Sequence, residues 1–209
     1  MRLAHPSCAA VVLLAAGSLC GCGGSGGGGA AILTHELSVN EDAYADSTGG
    51  YFEDSSNGIS VGDTSADAVR RGLVRFRVSG SLPFGATVVS AELRLYQANV
   101  AGAPYLSLGA VVVDHIDTGA DMDAADYAGG TLTSQIGLLS LDPTLGPKSL
   151  DVTAAVLADR AAERGESEFR LRFPGGTDFD NTLDAVYFED KQNHHGTGQG
   201  PLLILRYLP

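Results

Sequence analysis

The sequence predicts an all-β domain over residues 32–209: an antiparallel β-sandwich or jelly roll with one helix near 153–164. Three observations predict it. Apolar and polar residues alternate with period two in "GLVRFRV" (72–78), "AELRLYQ" (91–97) and "EFRLRF" (168–173), the mark of strands with one buried face. Turn chemistry such as "STGG", "SSNG", "LPFGA", "FPGG" and "GTGQGP" separates the runs. Many short strands, each with one polar face, bury their apolar faces by packing as two layers.

In chain order, strands are expected at 36–45, 59–63, 72–78, 91–97, 107–116, 168–173, 185–190 and 202–208. Val74, Phe76 and Val78 share the inner face of one strand, Ala91, Leu93 and Leu95 that of the next, and Phe169, Leu171 and Phe173 that of a third. The segment "DVTAAVLADRAAERG" (151–165) breaks this period. Asp151 or Thr153 suits its N-cap, helix-forming alanines follow, and Gly165 stands where a C-cap belongs. Val152, Val156 and Leu157 form its expected buried stripe. A shorter helical turn is expected in "DAADY" (123–127), capped and started by Asp121 and Asp123.

The first 31 residues have a different character. Met1-Arg2 and the apolar run "AAVVLLAAGSL" form an export signal, too short to span a bilayer. The run ends in "LCGC" (19–22), which resembles the bacterial lipobox: a leucine three residues before the modified cysteine and a small residue immediately before it. The resemblance implies diacylglycerol on the Cys22 thiol, cleavage of residues 1–21, and acylation of the new amine. Cys20 does not fit, because Leu19 stands where the small residue belongs. Gly23 follows the cysteine where an aspartate would change the sorting, so the resemblance implies the outer membrane of a bacterial cell envelope. Residues 22–31 then serve as anchor and flexible glycine tether, with a reach of about 15–20 Å. Cys8, Cys20 and Cys22 are the only cysteines in the 209 residues, so the mature protein keeps no free thiol and no disulfide.

The stretch "RRGLVRFRVSGSLPFGATVVSAELRLYQ" (70–97) resembles the signature of DNRLRE-type domains, β-sandwich domains of bacterial surface proteins akin to some carbohydrate-binding modules. Leu82, Pro83, Gly85, Ala86, Thr87, Val88, Ser90, Ala91, Leu93, Arg94, Leu95 and Tyr96 carry the match. "EDAYADS" and "ISVGD" upstream, and "LDVTAAV", "YFEDKQ" and "PLLILRY" downstream, extend it over residues 40–208. The chain has no tryptophan, although such domains commonly do. The resemblance implies a non-catalytic binding or adhesion module facing extracellular or cell-wall glycan. The alternative is a structural or assembly lipoprotein that contacts another envelope protein and has no glycan ligand.

Charge narrows the ligand classes. The formal net charge is -12, with only two lysines, which disfavours nucleic acid and anionic membrane surfaces. Yet Arg75, Arg77, Arg94, Arg170 and Arg172 alternate with core residues. Two readings of them stay open. They form an open face that clamps carboxylates or sulfates of an acidic polysaccharide, with Tyr96 and Tyr187 as flat apolar surface. Or they pair across strands with Glu92, Glu168 and Glu189. Structural calcium has two candidate sites: the aspartates of "DHIDTGADMDAADY" (114–127), whose spacing fits no EF-hand, and the set Asp42, Asp46, Glu189 and Asp190. His194 and His195 in "NHHG" lack a third ligand nearby for zinc. No catalytic motif is recognisable, no residue is assigned a catalytic role, and nothing in the sequence fixes the oligomeric state.

Overall fold

A computed structural model describes residues 30–209; Cys22 and the tether up to residue 29 lie outside the described residues. Twelve strands follow one another as β1 (Leu33–Ser38), β2 (Glu41–Asp46), β3 (Tyr51–Glu53), β4 (Ile59–Asp63), β5 (Val69–Arg77), β6 (Thr87–Ala101), β7 (Val111–Ile116), β8 (Thr131–Ser140), β9 (Gly146–Asp151), β10 (Glu166–Arg172), β11 (Ala185–Phe188) and β12 (Leu202–Leu208). A single helical turn, α1 (Pro104–Ser107), follows β6, and α2 (Thr153–Ala161) joins β9 to β10. All the strand pairs are antiparallel.

The strands form one sheet that curls into two layers. One layer runs β9-β6-β12-β1 and the other β3-β2-β5-β10-β7-β8; β11 and β4 connect the end of β6 to the start of β5. Alternation places the inner faces as the sequence predicts. Val74, Phe76 and Val78 meet Ala91, Leu93, Leu95, Phe169, Leu171 and Phe173 in one core, joined by Leu203 and Leu205 of β12. Helix α2 closes it with Ala155 and Val156, together with its N-cap residue Val152. Leu157 is 42% exposed, so the helix's buried stripe is not the expected one. Asp159 takes its place, one turn after Ala155: its carboxylate sits 2.8 Å from the ring Nε2 of buried His115 on β7 and accepts from Arg164 Nε at 2.8 Å. The helix also ends earlier than expected: Glu163, not Gly165, takes the left-handed conformation after it, with φ of 57°. The short turn at Ala124–Tyr127 is a 3₁₀ helix capped by Asp123, whose carboxylate accepts from the Ala125 amide at 2.7 Å.

On the outer face of the second layer the arginines pair with carboxylates, one of the two readings the sequence leaves open, and the face is covered rather than open to solvent. Leu73, Ala43, Ala45, Ile116 and Met122 form a second apolar cluster on that face, with Tyr51 and Tyr127 packed against it. The β7–β8 connection (117–130) lies across the arginines as a third layer. Arg75 is 5% exposed and Arg170 3%.

Strand register explains how such charges stay buried. Across β2, β5 and β10, Glu41, Arg75 and Glu168 stand abreast, and Arg170 stands opposite Asp114 across β10 and β7. Arg75 bonds Glu168 at 2.6 Å and Glu41 at 3.0 Å, and its remaining donors reach the Gly119 and Ala120 carbonyls and the Thr118 hydroxyl. Arg170 donates to Asp114 at 3.0 Å, to the Asp126 and Gly129 carbonyls at 3.0 and 2.8 Å, and to Thr131 Oγ1 at 2.6 Å. The cover is therefore held by its own backbone carbonyls. Breaking a buried ion pair on one side leaves the other charge uncompensated. Arg170→Ala is expected to cost about 3–5 kcal/mol in urea unfolding. Arg77→Ala, one strand position beyond the cover and with a side chain 65% exposed, is expected to cost about 0–1 kcal/mol. Equal losses would contradict the covered face.

Candidate functional site

The residues singled out by the sequence do not share one surface. Arg75, Arg77, Arg170 and Arg172 lie on the outer face of the second layer, and the first and third of these are sealed beneath the β7–β8 connection. Arg172 bonds Asp114 at 2.8 Å, so two guanidiniums converge on one carboxylate. Burial opposes ionisation of Asp114, but hydrogen bonds from Arg172, the Gln135 amide and Arg170 outweigh it and hold the carboxyl at about 2. Tyr187 is buried on β11, its ring 6.2 Å from that of His195. Of the expected partners, Glu168 pairs with Arg75 and Glu92 with Arg94, whereas Glu189 accepts from the His195 and Thr197 amides, each at 2.9 Å.

Arg94 and Tyr96 are on the other side of the sandwich, on the solvent face of β6. There they line a cleft of about 330 Å³ with Ser38, Pro147, Lys191 and Gln199. The cleft exists because β6 is flanked by β12 on one side and β9 on the other. The register sets Leu202 and Ser149 beside Arg94, and Pro147 beside Tyr96. The segment Gly198–Pro201, leading into β12, forms one wall. Farther along the same face a second cleft of about 220 Å³ is lined by Ser90, Glu92, Ser149, Asp151 and Arg206. The two clefts follow one another along the solvent face of β6, the first lined by Arg94 and Lys191 and the second by Arg206. Arg94 is 41% exposed at its side chain and bonds one Glu92 oxygen through two guanidinium nitrogens, Nη2 at 2.8 Å and Nε at 3.2 Å. Lys191 was missed by strand alternation because it follows β11 in a turn; only the tertiary fold brings it beside Arg94.

The expected calcium ligands Asp42, Asp46, Glu189 and Asp190 each satisfy a local bond. Asp46 closes its own turn, accepting from the Thr48 amide and hydroxyl and the Gly50 amide. Asp190 holds His194 through its amide and ring. Asp42 accepts from the Lys191 amide at 2.9 Å. Among the described residues, the acidic groups close enough to share an ion are other ones, around Asp178. Asp114, of the 114–127 run, serves the buried arginines, and Asp123 caps a helical turn. His195 Nε2 meets the Asn57 carbonyl at 2.9 Å, so the two histidines turn to different partners.

Asp42 gives this region a pH dependence. Burial, with nearby Asp190 adding to it, lifts its carboxyl from 3.8 to about 6 despite the Lys191 amide. Between those values the folded protein holds a proton that the unfolded chain has released, so stability falls as pH rises through that window and stays reduced above it. Asp42→Asn keeps a carbonyl acceptor for Lys191 and carries no charge. Its melting temperature is expected to exceed that of the unmodified protein at about pH 7.5, with the gain shrinking toward zero below about pH 4. A gain independent of pH, or a loss at the higher pH, would contradict a buried carboxylate held against ionisation.

No protein-family model matches the chain, and no curated protein matches it.

Proposed function

We propose that this protein is a surface-anchored, non-catalytic binding or adhesion lipoprotein that recognises an anionic extracellular or cell-wall glycan through the groove along β6. The observation that carries the reading is the gathering of Arg94, Lys191 and Tyr96 in one solvent-open cleft of a chain whose net charge is -12. A planar guanidinium suits carboxylate and sulfate, an ammonium adds a point charge, and a tyrosine face packs against the apolar side of a sugar ring. The cleft lies within the size range of small-molecule sites, enough for a short stretch of a saccharide chain. The resemblance of residues 70–97 to DNRLRE-type domains points the same way. The lipid on Cys22 and the glycine tether would hold the domain just off the outer membrane.

A second reading is favoured by one observation. Arg94 is already paired with Glu92, so the face could be a solvated ion-pair surface on a structural or assembly lipoprotein that contacts another envelope protein.

Calorimetry of the protein against acidic and neutral polysaccharides separates the two. The binding reading expects heat with uronic or sulfated polymers, affinity that falls with salt, and a loss of about tenfold or more in Arg94→Lys, which keeps the charge without the fork. Arg77→Lys, on the opposite side, should bind unchanged. Absence of heat from every polymer at low salt would remove the glycan reading and leave the structural one. The anchor is tested separately by lipid labelling and fractionation. Cys22→Ser should abolish labelling and membrane association, and Cys20→Ser should leave both intact. Loss of labelling in Cys20→Ser alone would place the cleavage elsewhere.

A further inference from the structure

Two connections meet around a group of aspartates that line neither cleft. The β4–β5 turn brings Asp63 and Asp67, and the β10–β11 connection brings Asp178, Asp180 and Asp184. One carboxylate oxygen each from Asp63, Asp67 and Asp178 lies within 4.8 Å of the others, and the same holds for Asp178, Asp180 and Asp184. That separation is what two oxygens on opposite sides of a calcium ion, each at 2.3–2.6 Å from it, can reach.

A cluster of surface acids is common without an ion, and what distinguishes this one is Asp63. Its residue is 0% exposed. Oδ1 accepts from the Asp184 amide at 3.2 Å, but Oδ2 is buried with no hydrogen-bond partner. A buried carboxylate oxygen left unpaired is costly, and a cation is the usual partner for one among other carboxylates. Among the described residues, no basic side chain forms a salt bridge with any of the five aspartates.

The surrounding backbone is built to bring these groups close. Gly62 has φ of 138°, and a Cβ there would lie 2.1 Å from the Asp184 carbonyl; at Gly102, with φ of 69°, it would lie 2.1 Å from Asp184 Oδ1. Only glycine lets β4 and the end of β6 approach Asp184 this closely. Asp184 is fixed in turn by the Ala103 amide and the Ser107 hydroxyl, which ties the aspartates to α1.

We propose that Asp63, Asp67 and Asp178 bind one calcium ion, with Asp180 and Asp184 completing the negative ring around it. The donors are all oxygens, with no histidine or cysteine among them, which selects a hard cation over zinc or copper. They sit on connecting segments able to supply carbonyls and waters to a ligand shell of six to eight, where magnesium demands a stricter octahedron. The ion would pin the β4–β5 turn, the β10–β11 connection and α1 together.

The test is a calcium titration of the protein by calorimetry, paired with melting curves in calcium, magnesium and chelator. One calcium per chain and a higher melting temperature in calcium than in magnesium or chelator are expected. Asp67 and Asp178 are not buried, so Asp67→Asn and Asp178→Asn should fold; each is expected to weaken calcium binding by about tenfold or more. Asp42→Asn should bind calcium as the unmodified protein does. The absence of heat and of any melting shift in several millimolar calcium would overturn the proposal. So would unchanged affinity in both Asp67→Asn and Asp178→Asn, or an equal response to magnesium. None of these outcomes depends on whether the groove binds glycan.

Discussion

Arg75 and Arg170 lie beneath a layer of loop in a protein of net charge -12, and a guanidinium in such a place is tolerable only if nearly every N–H is bonded. The strand register meets half of this requirement by setting Glu41 and Glu168 on either side of Arg75 and Asp114 opposite Arg170. The β7–β8 connection meets the other half with its carbonyls. Each part depends on the other. Without the register the loop would have no donors to sit on. Without the loop the arginines would be open to water, and Leu73, Ile116 and Met122 would lose the cover over their apolar cluster. Arg71 extends the arrangement, with its guanidinium 4.2 Å over the Tyr127 ring centroid.

This arrangement divides the two faces of the sandwich by role. The face with the greater number of arginines is spent on internal structure, and its guanidiniums are bonded to the protein itself. The face with fewer cations leaves them partly open to solvent, Arg94 paired with Glu92 and Lys191 with Glu53, beside clefts whose walls come from β9, β12 and the turn carrying Lys191. The count of arginines is thus a poor guide to where an anionic ligand would meet the protein; solvent access and free donors are better ones. The aspartate cluster follows the same logic with the opposite sign. Asp114 is buried with two arginines and is compensated, whereas Asp63 is buried with acids and is not.

The inner face of the sandwich was legible because alternation reports it directly: Phe76, Leu93, Leu95, Phe169 and Leu171 all lie in the core. The outer face was not, because period two marks a polar residue as outward without saying whether a loop returns to cover it. Apart from the Thr118 hydroxyl, the covering donors and acceptors of 117–130 that meet the arginines and Glu168 are backbone groups, which leave no trace in side-chain pattern. Strands β8 and β9 also escaped notice. "TLTSQIGLLS" is exposed along most of its length and "GPKSLD" begins with glycine and proline, so neither shows a clean apolar face. Leu157 illustrates the limit for helices, since a buried Asp159 held by His115 displaced an apolar residue from the expected stripe. The spacing of Asp178, Asp180 and Asp184 in "DFDNTLD" was visible in the chain, but its partners Asp63 and Asp67 are more than a hundred residues away and join it only through the pairing of β4 with β11.

The central claim, that a buried arginine ladder fastens the β7–β8 connection to the sheet, is tested most directly by native-state hydrogen exchange in that connection. Within the connection the Asp117 amide donates to the Gly130 carbonyl and the Thr118 amide to Glu168, and on the adjoining β8 the Gln135 amide donates to Asp114. At neutral pH these three amides are expected to exchange slowly, in step with the amides of β5 and β10, because opening them requires breaking the ladder. Exchange at the rate of an open loop, while β5 and β10 stay protected, would show that the connection is not fastened by the arginines beneath it.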